Sequence, residues 1–187
     1  KNVIAHIRKA TQGVVALENC HPFQRELWGR HWIFAHNGNL DNFRPGEGAF
    51  FRPVGQTDSE RAFCHLLERL WAAFPEGCPA PEAVFRFLGP VVAEIAGHGL
   101  FNFLLSNGEF LIAHCSNNLH YLIRQSPFGN AHLIDQDITM DFSQVAGAND
   151  KVAVIASFPL TDNEAWTPLA PGQLLMFREG EPVAGAA

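Results

Sequence analysis

Arg8 stands in the run His6-Ile7-Arg8-Lys9-Ala10-Thr11-Gln12-Gly13, directly after a short β-branched stretch. A planar guanidinium at a strand end suits two-pronged capture of a carboxylate, and suits a solvated surface arginine equally well. His36-Asn37-Gly38 closes a second strand-like run. An Asn amide beside a Gly N–H offers two donors to a developing oxyanion, because glycine lets a substrate approach the backbone; the same pair also reads as an ordinary hairpin turn. Asp58 opens a helix-like segment. The helix dipole favours a carboxylate there, and that carboxylate could bind an ammonium group or simply stabilise the helix start. Cys20-His21 places a thiol beside an imidazole, but adjacent residues of an extended segment point to opposite sides and do not make a dyad. His114, His120 and His132 lack a ligand spacing, so no metal is expected.

The elements that must position these residues follow from periodicity and punctuation. Residues 2–7 (NVIAHI) predict a buried strand, and residues 10–30 a loop-rich stretch with Gly13, Pro22 and Gly29. Residues 31–36 predict a strand stopped by Asn37-Gly38, and residues 39–56, with Pro45, Gly46, Gly48, Pro53 and Gly55, a surface loop or lid. Thr57-Asp58-Ser59-Glu60 is a capping-box pattern that opens the clearest helix, with Phe63, Leu66, Leu67, Leu70, Trp71 and Phe74 on one face and Pro75 at its end. A second helix is expected over about 81–96, with Pro81 in its first turn and Pro90 kinking or splitting it.

Strands then follow. Residues 100–105 and 109–114 flank Ser106-Asn107-Gly108, a hairpin signal. Residues 119–124 and 131–135 predict another pair, 151–158 a buried strand, and 173–178 with 181–184 a last hairpin around Gly180. Strands, two helices and then many antiparallel strands make an α+β layered protein.

The 187 residues suit one domain, 1–187, and 47% hydrophobic against 17% charged residues excludes disorder. A formal charge of −6 gives no general attraction for phosphate backbones, so nucleic-acid binding is not expected. No apolar run approaches the roughly 18 residues of a membrane span. Cys20, Cys64, Cys78 and Cys115 match no zinc pattern and read as reduced thiols of a cytoplasmic protein. The chain opens on Lys1 and enters a strand-like run at once, which predicts that it is the downstream part of a longer protein.

The order of the clusters is more specific than any one of them. With AHIRKATQG (5–13), ENCHPF (18–23), WIFAHNGNLDNF (32–43) and GQTDSERAF (55–63), and later LLSNGEFLIAH, SPFG and PGQLLMF, the chain resembles the class II glutamine amidotransferases, and among them the small stand-alone YafJ-type branch. The resemblance covers nearly the whole chain. It implies the N-terminal-nucleophile hydrolase fold, a four-layer αββα sandwich with two antiparallel sheets between helical layers.

It also implies roles for residues. Arg8 would grip the α-carboxylate of glutamine, with Thr11 in the same substrate-facing segment. His21 would line the pocket, Asn37 and Gly38 would form the oxyanion hole, and Asp58 would hold the α-ammonium. Lys9 and Gln12 depart from the aromatic residue and the His that many members carry. The family's nucleophile is an N-terminal Cys well upstream of the Arg motif, and none of the four cysteines here is so placed.

The expected activity is therefore glutamine amide hydrolysis through a cysteinyl thioester whose nucleophile lies upstream, so the 187 residues alone would be inactive. No cofactor is implied. Ammonia would pass to a separate acceptor protein, if it is used. The alternatives are hydrolysis of a larger γ-glutamyl amide and a non-catalytic amino-acid-binding or regulatory module.

Overall fold

A computed structural model of the chain describes residues 2–7, 15–46, 48–136, 138–144 and 146–185. Strands β1 (Phe23–Leu27) and β2 (Arg30–Leu40) form a hairpin whose two-residue turn, Trp28-Gly29, has positive φ at both positions (59° and 73°). Such a turn matches the twist of the flanking strands, and Gly29 takes its half at no steric cost. The sequence pattern placed β1 inside a loop. The reason is Arg25, which interrupts the apolar alternation between buried Phe23 and Leu27. Its charge is tolerated on that face because Glu60, only 1% exposed, pairs with it from 35 residues away.

Helix α1 (Asp58–Ala73) begins where expected. Thr57 is the N-cap, and its Oγ1 accepts the Glu60 N–H at 3.1 Å. The reciprocal half of the capping box is replaced: the Glu60 carboxylate accepts instead from the N–H groups of Val54 (3.0 Å) and Gly55 (2.7 Å). Phe63, Leu66, Leu67 and Leu70 of α1 are fully buried. Helix α2 (Pro81–Ala96) runs unbroken through Pro90. Gly89 precedes that proline and has no Cβ to meet its ring, which removes part of the usual clash.

After α2 come β3 (Gly99–Ser106), β4 (Leu111–His114), β5 (His120–Gln125), β6 (Asn130–Leu133), β7 (Ile138–Asp141), β8 (Lys151–Ala156), β9 (Thr167–Pro168), β10 (Leu174–Arg178) and β11 (Glu181–Ala184). Six strands make one sheet in the order β1-β2-β3-β4-β10-β11, three make a second in the order β8-β5-β9, and β6 pairs with β7. The hairpin around residues 106–108 and the last hairpin are as expected. The expected pairing of 119–124 with 131–135 is not formed: β5 pairs with β8 and β9 instead. Residues 2–7 form no strand, and Val3 and Ile7 are exposed. The segment is anchored at alternate positions, by Asn2 Nδ2 donating to Ser106 Oγ at 2.9 Å, by Ile4 against the second core cluster, and by the His6 ring 4.4 Å from that of His21.

Both faces of the large sheet are covered. Trp32, Phe34, Phe101, Phe103 and Leu105 pack under the two helices. On the other face, Leu111, Ala113, Leu175 and Phe177 meet Tyr121, Ile123, Ala153 and Ile155 of the second sheet. Helices, sheet and sheet stack in that order, so the described residues form three of the four layers of the expected αββα sandwich. The stretch after β2 is the expected irregular loop. It is stitched to α1 by Glu60 and by Glu68, whose carboxylate accepts from the N–H groups of Ala49, Phe50 and Phe51 at 2.9–3.1 Å. Burial works against the Glu68 charge, but those three donors hold its carboxyl below the ordinary range.

Candidate active site

Strand β2 is longer than its β1 partner. The β1 ladder ends at Phe23 opposite Phe34, whereas pairing with β3 continues through His36↔Phe103, Asn37↔Asn102 and Gly38↔Phe101 to Leu40↔Gly99. Asn37-Gly38 is thus strand and not a turn, a correction to the sequence reading. Glycine is required at 38 by a close approach. A Cβ there would lie 1.9 Å from the Leu100 carbonyl oxygen and 2.8 Å from His36 Nε2. We expect Gly38→Ala to lower stability by about 1–3 kcal/mol, because the backbone must move to admit the methyl group. In a chain of this size that is a fall of several degrees in Tm in a thermal melt. An unchanged Tm would show that Leu100 can give way.

Past Phe34 the β1-side edge of β2 meets the start of α1. Leu40 N–H donates to Asp58 Oδ2 at 2.7 Å, and Asp58 Oδ1 accepts from Ser59 N–H at 2.8 Å. N–H groups two residues apart on a strand leave by the same edge, so Gly38 N–H emerges on the edge where Asp58 sits. His36, 2% exposed, joins the same parts from within. Its Nε2 donates to Leu100 O at 2.9 Å, which leaves Nδ1 to accept from Ser59 Oγ at 2.8 Å. Burial pushes the imidazole below its ordinary range, which keeps it neutral and fits that single tautomer.

Asn37 points to the other side of the sheet, as alternation from His36 requires. It is exposed, and its Nδ2 donates to Ser157 Oγ at 3.2 Å, just past the end of β8. An amide nitrogen carries two hydrogens, so one remains for a ligand. His21 is half-buried, with its ring 4.5 Å from that of Phe23. Because β1 starts opposite Phe34, His21 lies at the Asn37 end of the hairpin and not at its turn. The structure therefore brings Asn37, Gly38, Asp58 and His21 to one end of the β1–β2 pair. Arg8 and Thr11 lie outside the described residues.

The thiols are a different matter. Burial pushes Cys64 up to about 11 and raises Cys78 and Cys115 as well, so all three stay protonated and are poor nucleophiles. Cys20 is exposed, and its thiol donates to Ala16 O at 3.4 Å. Among the described residues no group of three or more His, Cys, Asp and Glu could hold a metal, and no helix is long and apolar enough to cross a membrane.

Sequence reasoning missed Ser59, Asn102 and Ser157. Asn102 had a signal, since it breaks the apolar run LFNFLL of β3; the other two had none.

Comparison with known proteins identifies the family. The family model for class-II glutamine amidotransferases matches residues 1–187. The chain is 54% identical over 183 residues to a glutamine amidotransferase homologue of Haemophilus influenzae, covering 98% of this chain and 62% of that protein. It is 50% identical over 182 residues to the homologue YafJ of Escherichia coli K12, covering 97% and 71%. The crystal structure of a predicted glutamine amidotransferase from Pseudomonas aeruginosa PA01 superposes with a TM-score of 0.82 at 49% identity, covering 90% of this chain and 66% of that one. Glutamine phosphoribosylpyrophosphate amidotransferase of Bacillus subtilis shares the fold alone, at a TM-score of 0.54 and 16% identity over 95% of this chain and 33% of that one. The chain thus spans less than two thirds of the Haemophilus relative's length. Matched from end to end by one family model, and carrying that family's sandwich, this chain belongs to the class II glutamine amidotransferases.

Proposed function

We propose that the complete protein hydrolyses the side-chain amide of glutamine, with Asn37 and Gly38 as oxyanion donors, Asp58 as the α-ammonium anchor and Arg8 as the α-carboxylate anchor. The observation that carries this reading is the shared edge of β2. Gly38 N–H leaves it two residues from Leu40, whose N–H is held by Asp58. Two strand residues span about 6.7 Å, the scale of an extended glutamine from head group to amide. His21 closes the same end, and Thr11 belongs to the Arg8 segment.

The nucleophile in this reading is a cysteine outside these residues. Its thiolate attacks the amide carbon, and the tetrahedral oxyanion meets the Asn37 amide and Gly38 N–H. The C–N bond then breaks, ammonia leaves with the proton it gains, and water cleaves the thioester to give glutamate and the free thiol. Support for an outside nucleophile comes from the protonated state of Cys64, Cys78 and Cys115.

The test is ammonia release from glutamine by the full-length protein and by residues 1–187 alone. Turnover by the full-length protein and none by the fragment is the expected result. Robust turnover by the fragment, abolished by Cys20→Ala, would move the nucleophile to Cys20. Parallel assays with γ-glutamyl amides bearing larger amines separate a glutaminase from a γ-glutamyl amide hydrolase, and glutamine binding without turnover of any amide would leave a binding module.

A further inference from the structure

Asn102 lies directly across from Asn37 on β3 and is 5% exposed. Its side chain is almost fully engaged. Nδ2 donates to the Asn37 carbonyl oxygen at 2.9 Å and to Asn117 Oδ1 at 2.8 Å, while Oδ1 accepts from Ser116 N–H at 2.8 Å and Asn117 N–H at 3.2 Å. A buried amide is costly unless its partners are supplied, and here they come from β2 and from the turn after β4. An apolar side chain would serve sheet packing at this position without such a network.

The carbonyl that Asn102 holds belongs to the Asn37–Gly38 peptide. That unit is planar and trans, so its C=O and N–H point in opposite directions. Fixing the Asn37 oxygen toward Asn102 aims the Gly38 N–H at the opposite edge, where Asp58 sits. The need is specific to this peptide. β1 has ended and gives no ladder bond on the Gly38 N–H side, so among the strands only β3 holds this peptide, and there the Asn102 amide adds a second donor to the Asn37 oxygen beside the ladder bond of the Asn37↔Asn102 pair. The same bond fixes the backbone from which the Asn37 side chain projects.

We propose that Asn102 is a positioning residue for catalysis: it locks the Asn37–Gly38 peptide so that both oxyanion donors are presented in one fixed arrangement. This rests on the reading of Asn37 and Gly38 as those donors.

The experiment uses the full-length protein with Asn102→Asp. The new carboxylate still accepts from Ser116 and Asn117 N–H but adds no side-chain hydrogen for the Asn37 oxygen, which keeps only its ladder bond. The expected result is a fall in kcat of about 10²-fold, as for a small misplacement of catalytic groups, with KM within about threefold and a cooperative thermal transition retained. As the pH is lowered, protonation of that carboxyl restores a donor, so the ratio of variant to parent kcat should climb. A merely structural role predicts neither the split nor the climb.

Asn102→Ser is neutral and too short to reach the Asn37 oxygen; it gives the same kcat–KM split if the aspartate variant does not fold. Parent-like kcat in either folded variant overturns the proposal, as does equal loss in kcat and rise in KM. Failure of the underlying reading shows differently, as parent-like kcat in Asn37→Ala or as no turnover of glutamine or any γ-glutamyl amide by the parent protein, and it removes this inference too.

Discussion

Replacing Asn37 by Ala in the full-length protein is expected to lower kcat about 10²–10³-fold while KM changes little. The side-chain amide would bond an oxygen that carries full negative charge only in the tetrahedral state, so its loss is felt in the transition state and hardly in the ground state. The structure adds a reason to expect a clean result. Asn37 is exposed, and among the described residues its side chain makes a single 3.2 Å bond, to Ser157 Oγ. Its truncation therefore removes little from the core, and Tm should stay within a few degrees of the parent. Steady-state kinetics with glutamine read both constants. Near-normal kcat would reduce Asn37 to a rim residue that ties β2 to the end of β8.

Asp58 has one role in the fold and a second in the proposed site, and the second large effect depends on separating them. Its carboxylate already accepts from Leu40 and Ser59 N–H, so it fastens the end of β2 to the start of α1. Each carboxylate oxygen has a second lone pair, which leaves room for an ammonium group. If Asp58 holds the α-ammonium, Asp58→Asn should raise KM for glutamine about 10–100-fold, in line with the roughly 1.5–3 kcal/mol of a hydrogen bond to a charged group. KM for a desamino substrate should hardly change, because that substrate never used the charge.

A purely structural Asp58 gives another pattern: lower Tm and similar losses for both substrates. Measuring KM for glutamine and its desamino analogue with parent and variant decides the matter. If the glutamine KM stays within about twofold of the parent, the head-group role of Asp58 is wrong. Arg8 should behave in the matching way toward substrates without the α-carboxylate, and Arg8→Lys should rescue poorly, because a point charge cannot reproduce a two-pronged fork.

What the sequence determined was local. Thr57 capped α1, Pro81 opened α2, the apolar faces of both helices packed on one sheet, and Asn107-Gly108 turned β3 into β4. Each of these follows from forces acting within a few residues, such as a cap bond, a fixed φ or a helical stripe. The resemblance carried by the ordered motifs also implied one set of site residues, Arg8, Thr11, His21, Asn37, Gly38 and Asp58.

Tertiary structure decided what those residues are attached to. Asn37-Gly38 looked like a turn because Asn and Gly tolerate positive φ. It is strand because β3, more than 60 residues later in the chain, supplies its partners, and Gly38 is small because Leu100 O presses on it. Glu60 was read as half of a capping box and instead neutralises Arg25 and pins residues 54–55. β5 chose β8 over the nearer segment because alternation tells a strand which face to bury and says nothing about its neighbour. Asn102 showed only as a polar break in an apolar run. Its meaning lies in a carbonyl 65 residues away, a contact that exists only once β2 and β3 have paired.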